Sequence, residues 1–187
     1  MLRHAFKEWA VICEALAKGR QSLILRKGGI DEDFKPKHTR FWLFPTYLHE
    51  DGDGIKPAAA HMLDLARADR PPDGVVRLSH FAEVAGAYFI RELFGALLLD
   101  DLHLWSEATV RKRFAYREPG LYVLPVRVYK AAQVHELPIT AAYDGCRSWV
   151  ELERELPTDG ARPVMPDRPY ADLLQSLQRR LTPTAEV

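Results

Sequence analysis

The sequence predicts an α+β fold: a mixed, mainly antiparallel small sheet, or a partly closed barrel, with flanking helices. Three observations lead there. Aromatic-rich, almost uncharged stretches at residues 40–47 (RFWLFPTY), 121–129 (LYVLPVRVY) and 143–149 (YDGCRSW) each lie beside basic residues, the pattern of a β-rich core with charge at its rim. Apolar stripes at helical spacing stand between and after them. The chain shows no strict strand–helix alternation and no internal repeat, so a doubly wound parallel sheet is not expected.

The chain has 187 residues, 47% of them hydrophobic, enough for one substantial core. We expect a single α+β domain over 1–156, followed by a Pro-rich linker and a C-terminal amphipathic helix over 157–187. Lys plus Arg and Asp plus Glu both number 26, so the formal net charge is zero. That excludes a global basic field of the kind that drives nonspecific nucleic-acid binding; a polyanion site has to be a local patch. The N-terminus, with Arg3, Lys7 and Glu8, lacks the apolar region of a signal peptide, and no apolar run approaches the roughly 18 residues of a membrane span. The expectation is a soluble, cytoplasmic protein that does not engage a membrane. Two cysteines, Cys13 and Cys146, are too few for a disulfide scaffold or a zinc cluster.

Along the chain, Phe6, Trp9, Ala10, Cys13, Leu16 and Ala17 recur at helical spacing before Gly19, predicting a helix over 5–18. Residues 21–27 alternate as a strand does, and Gly28-Gly29 turns the chain. A polar loop then leads to a strand over 41–44, which Pro45 ends or pushes to a sheet edge; the two strands read as a hairpin with a long loop. Lys56-Pro57 opens a short helix that ends at the Arg70–Gly74 turn, and 75–81 reads as a strand. Ile90, Leu93, Phe94, Leu97 and Leu98 form a helical stripe. Ser106 N-caps the next helix, with Val110 and Phe114 inward and Arg111, Lys112 and Arg113 alongside. Residues 121–129 are apolar on both faces apart from Arg127, as in a central strand, with Pro125 implying a bulge or an edge. Residues 134–142 read as extended. Ser148-Trp-Val-Glu151 reads as a capping box opening a short helix with Trp149 and Leu152 inward. After Pro163, Pro166 and Pro169, a last helix carries Tyr170, Leu173, Leu174, Leu177 and Leu181 on one stripe, a candidate for packing on the domain or docking a protein partner.

Several residues carry chemistry. Arg26-Lys27-Gly28-Gly29 joins two cations to glycines whose N–H groups could face a phosphate, although the spacing is not that of a nucleotide P-loop and a glycine pair after a strand is most often simply a turn. Arg127, in an apolar strand, needs a carboxylate or a ligand anion; Glu8 and Glu14 are candidate partners. Arg111, Lys112, Arg113 and Arg117 could track a nucleic-acid backbone or form a solvated helix face. Trp9, Trp42, Tyr47, Trp105, Tyr129 and Trp149 could stack on bases where exposed; Trp9 and Trp149 are assigned to packing. None of the seven histidines stands in a metal-binding pattern, and Asp51-Gly-Asp-Gly54 lacks the later ligands of a calcium loop. No metal, cofactor or catalytic residue is assigned. Cys146, beside Arg147, has surroundings that lower a thiol pKa but no identifiable histidine partner.

The chain resembles an uncharacterised bacterial family, DUF1802-like, a domain of unknown function. The resemblance rests on Phe6-Lys-Glu-Trp-Ala-Val11, Leu25-Arg-Lys-Gly-Gly-Ile30, Phe44-Pro-Thr-Tyr47 with His49, His103-Leu-Trp105, Arg113-Phe114, Arg127-Val-Tyr129 and Tyr143 through Gly145-Cys146 to Ser148-Trp149. It spans the chain to about residue 156. Its members are said to occur fused to restriction-endonuclease-like domains, which implies a role connected with nucleic acid.

Three functions follow as expectations. The first is a non-catalytic module for nucleic acid or a nucleotide, restriction- or modification-related, with Arg26, Lys27, Gly28, Gly29, Arg113 and Arg127 as anion-binding candidates. The second is a small enzyme or small-ligand protein with Lys7, Glu8, Trp42, His49 and Cys146 in one pocket near Arg127. The third is an accessory protein that binds a protein partner through its C-terminal helix. The oligomeric state is not legible.

Overall fold

A computed structural model describes residues 1–27, 38–48, 50–143 and 148–181. Eight strands among these residues form one sheet: β1 (Leu2–Trp9), β2 (Leu23–Arg26), β3 (Arg40–Thr46), β4 (Val75–Val84), β5 (Tyr88–Ile90), β6 (Leu121–Pro138), β7 (Trp149–Leu156) and β8 (Arg162–Pro163). The order along the sheet is β2-β6-β4-β3-β1-β7, with β5 and β8 also on β6. Every pairing is antiparallel except that of β1 with β3. Five helices flank it: α1 (Ala10–Ala17), α2 (Ala60–Ala68), α3 (Leu93–Leu97), α4 (Glu107–Ala115) and α5 (Asp167–Leu181). The fold is α+β with a mostly antiparallel sheet. No backbone pairing among the described residues joins β2 to β7, so the sheet is open rather than a barrel.

Residues 2–9 are a strand where helical spacing predicts a helix. β1 lies between β3 and β7, with Ala5, Phe6 and Glu8 buried, and a strand covered on both faces has no need of strict alternation. The helical repeat therefore holds only from Ala10 onward. Residues 149–156 are likewise β7 instead of a capped helix. Val150, Leu152 and Leu156 are buried, Glu151 and Glu153 exposed, and Phe6 pairs with Trp149. This is the two-residue period of a strand, which the apparent capping box obscures.

β2 and β3 do not form the expected hairpin: β2 pairs with β6, while β3 lies between β1 and β4. Pro45 sits inside this central strand because β4 pairs with β3 only over 40–42, leaving no ladder partner on that side for an N–H to serve. The stripe expected over 90–98 also breaks. Ile90 belongs to β5, α3 is five residues long, and Phe94 is 71% exposed while Ala96 and Leu99 are buried.

Residues 41–44 divide between two cores. Phe41 and Leu43 enter one with Phe6, Leu16, Leu23, Trp105 and Leu177; Trp42 and Phe44 enter the other with Phe81, Leu152 and Leu156. The eighteen-residue β6 changes partners near Pro125, serving β2 and β5 before it and β4 and β8 after it. Ala85 N–H donates to the Pro125 carbonyl and Val126 N–H to that of Ser22, both at 2.9 Å. The imide nitrogen thus falls at the handover.

β8 pairs with Tyr129 and Lys130, and α5 packs against the sheet through Leu177, which is fully buried. Arg127 pairs with Asp167 at the start of α5, and Arg180 near its end with Asp101. Among the described residues, no helix is long and apolar enough to cross a membrane.

Candidate functional site

Where β1 ends, Trp9 passes directly into α1, and two carboxylates meet the helix start. Glu8 Oε1 accepts from the Trp9 N–H at 3.0 Å, and Glu50 Oε1 accepts from the Val11 N–H at 2.9 Å. Both satisfy donors that a helix leaves unpaired and oppose the positive end of its dipole. Burial raises the Glu50 pKa; the Val11 N–H and Arg67, whose guanidinium is 3.9 Å away, pull against that rise.

Around these ends of β1 and β3 runs a cavity of about 650 Å³. Glu8, Trp9 and Cys13 line it together with Arg26, Arg113 and Ser148. Arg26, the last residue of β2, lies 4.7 Å from the Phe6 ring centroid and donates through Nη2 to Ser148 Oγ, just before β7. The sheet's two outer strands are laced together here by a side chain. Arg113 comes from α4, which Ser106 caps by accepting from the Thr109 N–H. Its guanidinium lies 3.6 Å from the centroid of Trp105, and Nη1 donates to the Leu25 carbonyl at 3.3 Å. Trp105 in turn meets Trp9 edge-on at 4.8 Å.

The electrostatics couple these groups. Burial pushes the Arg113 pKa down, Glu8 opposes that shift and Arg26 adds to it. Two of the lining residues each keep a buried polar atom without a hydrogen-bond partner among the described residues: Glu8 Oε2, an acceptor, and Arg26 Nε, a donor. Burial, followed by Glu8, Glu50 and Glu14, raises the Cys13 thiol well above its ordinary value, the opposite of what nucleophilic activation requires.

Of the residues singled out in the sequence, Arg26, Arg113, Lys7 and Glu8 all line this cavity. Lys7 donates to the Tyr143 carbonyl and lies 5.7 Å from the Phe44 ring. Lys27 points elsewhere: its ammonium donates to the carbonyls of Phe114 (3.0 Å), Gly120 (2.9 Å) and Glu118, closing the chain after α4. Arg127 also lies apart, its carboxylate partner being Asp167 rather than Glu8 or Glu14, with Tyr170 at 4.9 Å. Trp42 is fully buried in the second core and donates Nε1–H to the Leu2 carbonyl, away from the cavity lining. Gly28, Gly29, His49 and Cys146 lie outside the described residues. Sequence reasoning overlooked Ser148, read as a helix cap, and Glu50, whose contact with Val11 spans 39 positions and leaves no local signal.

The fold and site define an open α+β sheet with a polar, tryptophan-walled cleft where its parallel strand pair ends. The chain belongs to the family described as Domain of unknown function (DUF1802), whose model matches residues 5–176. No curated protein matches it. Among solved structures it is similar to the crystal structure of ASCH from Zymomonas mobilis, at 13% identity and a TM-score of 0.48, covering 93% of this chain and 94% of that one. A serine-to-alanine variant of that protein gives 11% identity and 0.48 over the same shares of both chains. A tyrosine-to-phenylalanine variant gives 14% and 0.45, covering 93% of this chain and 96% of that one.

Proposed function

We propose that this protein is a non-catalytic recognition module that holds a nucleotide, within a single strand or alone, in the cavity between Glu8, Arg26 and Arg113. The carrying observation is that Glu8, Arg26 and Arg113 line one cavity, with a buried polar atom of Glu8 (Oε2) and one of Arg26 (Nε) left without a hydrogen-bond partner among the described residues. Buried polar groups left without partners are rare because each costs about 1–3 kcal/mol, and a bound ligand is one way to recover that cost. The volume suits a nucleotide, small-molecule sites running from about 300 to 1,000 Å³. Lys7, Arg26 and Arg113 provide the local cations that a chain of zero net charge needs for a phosphate, and Trp9 provides an aromatic wall.

Fluorescence anisotropy of labelled single- and double-stranded DNA and RNA across a salt series tests this reading. Single strands should bind, with affinity falling as salt rises at a logarithmic slope of about −2, as expected for up to three phosphate contacts. Arg26→Ala and Arg113→Ala should weaken binding, while Arg111→Ala, whose side chain pairs with Glu107 on the outer face of α4, should not. Absence of binding at low salt would sink the reading.

A further inference from the structure

We infer that the cavity takes two consecutive nucleotides of a single strand, and that Arg70, lying on the Tyr47 ring, is the platform on which the second base stacks. This deepens the recognition reading above and rests on it. The lining is not confined to the surroundings of Arg26 and Arg113: Tyr47 also belongs to it, as do Asp69, Arg70 and Asp73 from the turn between α2 and β4. At about 650 Å³ the cavity is well above the ~300 Å³ at which small-molecule sites begin, so it has room for more than one such unit.

Two aromatic rings leave adjacent strand ends in different directions. Trp9 closes β1 and is the backbone partner of Thr46 on β3, one strand spacing or about 4.8 Å away, and Tyr47 is the next residue. Trp9 meets Trp105, on which Arg113 lies. Tyr47 instead reaches α2, donating its hydroxyl to the Ala66 carbonyl at 3.4 Å, and carries the Arg70 guanidinium 4.9 Å from its ring centroid. Single strands are held in this manner, successive bases lying on aromatic or guanidinium planes. The Arg70 side chain is 53% exposed, so a ligand can reach it.

Charge divides the work between the two places. Arg26 and Arg113 together outnumber Glu8, whereas Arg70 is held by Asp73 at 2.9 Å and Arg77, also in the lining, by Asp69 at 2.9 Å. A phosphate beside Arg70 would meet two carboxylates. A neutral base would not, and stacking on the guanidinium leaves its ion pair intact. The phosphates therefore belong to Arg26 and Arg113, and the second base to Arg70.

Competition against a labelled oligouridine dodecamer tests the inference with three kinds of unlabelled ligand: adenosine 5′-monophosphate, the 5′-phosphorylated adenosine dinucleotide, and that dinucleotide with one base or the other removed. The intact dinucleotide should bind about tenfold tighter than the monophosphate, the scale of one stacked base, and each abasic form should lose most of that gain. Arg70→Ala should remove the gain while leaving the monophosphate affinity and the salt slope unchanged. Arg70→Lys, which keeps the charge without the plane, should do the same. Equal affinity for monophosphate and dinucleotide, abasic forms as tight as the intact dinucleotide, or an Arg70→Lys variant as tight as the parent overturns this inference and leaves nucleotide recognition standing. Failure of the dodecamer and of every competitor to bind at low salt overturns both.

Discussion

The Arg113 guanidinium sits 3.6 Å from the centroid of the Trp105 ring, and Trp105 is itself fully buried. A guanidinium tolerates this setting because its charge is delocalised and its flat face matches the indole, and stacking of this kind contributes roughly 1–2 kcal/mol when desolvated. Glu8 and the Leu25 carbonyl supply the remaining polar company. Arg113→Lys keeps the charge but loses the plane, so the urea midpoint should fall by an amount equivalent to about 1 kcal/mol and single-strand affinity should drop as well. A lysine variant indistinguishable from the parent in both assays would show that charge alone matters here.

Gly54 stands against Trp9, the tryptophan that lines the cavity. A Cβ built there meets the six-membered ring of Trp9 at 2.6 Å, closer than atoms can stay, so Gly54→Ala must displace the indole that lines the cavity. Overpacking of this sort costs about 1–3 kcal/mol. Tryptophan fluorescence should shift and single-strand binding weaken; an unchanged emission spectrum would count against the described contact.

Two histidines set an acid limit. Burial first, then Lys56, lowers the His103 pKa to about 4; burial first, then Lys130 and Lys18, lowers that of His80 to about 4. Asp100 and Asp101 face His103 and oppose its shift. The folded chain keeps both rings neutral, so their contribution is fully present above the ordinary value near 6.5 and is lost as pH falls from there towards about 4. Each group can remove up to about 1.4 kcal/mol per pH unit across that window. Urea midpoints measured between pH 7.5 and 4.5 should therefore fall, and less steeply in a His80→Asn, His103→Gln double variant. Parallel curves for variant and parent would refute the assignment.

Lys27 offers a prediction of a different kind. Its ammonium holds three carbonyls at the end of α4, so Lys27→Met should cost stability, about 1–3 kcal/mol by chemical denaturation, while leaving the salt slope of nucleic-acid binding unchanged. A reduced slope would return this residue to the ligand's surroundings.

Truncation after Leu156 separates docking from packing. Leu177 lies fully buried in the main core, and both ends of α5 are pinned by ion pairs. Removing the segment should lower thermal stability sharply and expose apolar surface to a hydrophobic dye. A truncated chain with an unaltered melting curve would instead favour α5 as a detachable arm for a protein partner.

What could be read from the sequence followed from how local its causes are. The Ser106 cap, the inward Val110 and Phe114, and the amphipathic α5 depend on neighbours a few residues away, and these elements stand where spacing predicts them. β1 and β7 do not: β1, buried towards both faces, loses the alternation that betrays a strand, and Trp9 fits a helical stripe by coincidence, while in β7 the Ser148–Glu151 spacing imitates a capping box and hides the strand's two-residue period. The cavity followed the same division. Arg26 and Arg113 stand out by residue type, but their meeting depends on α4 reaching the end of β2, where Arg113 donates to the Leu25 carbonyl across 88 positions, a relation that no local pattern encodes.

The Arg26–Ser148 bridge makes one side chain both a fastener of the molecule and a candidate reader of its ligand. Selection for a tighter scaffold and selection for altered recognition therefore act on the same atoms. Improving either is constrained by the other, and change in this lineage should reach Arg26 last, after the lysines and arginines of the outer helix faces have drifted freely.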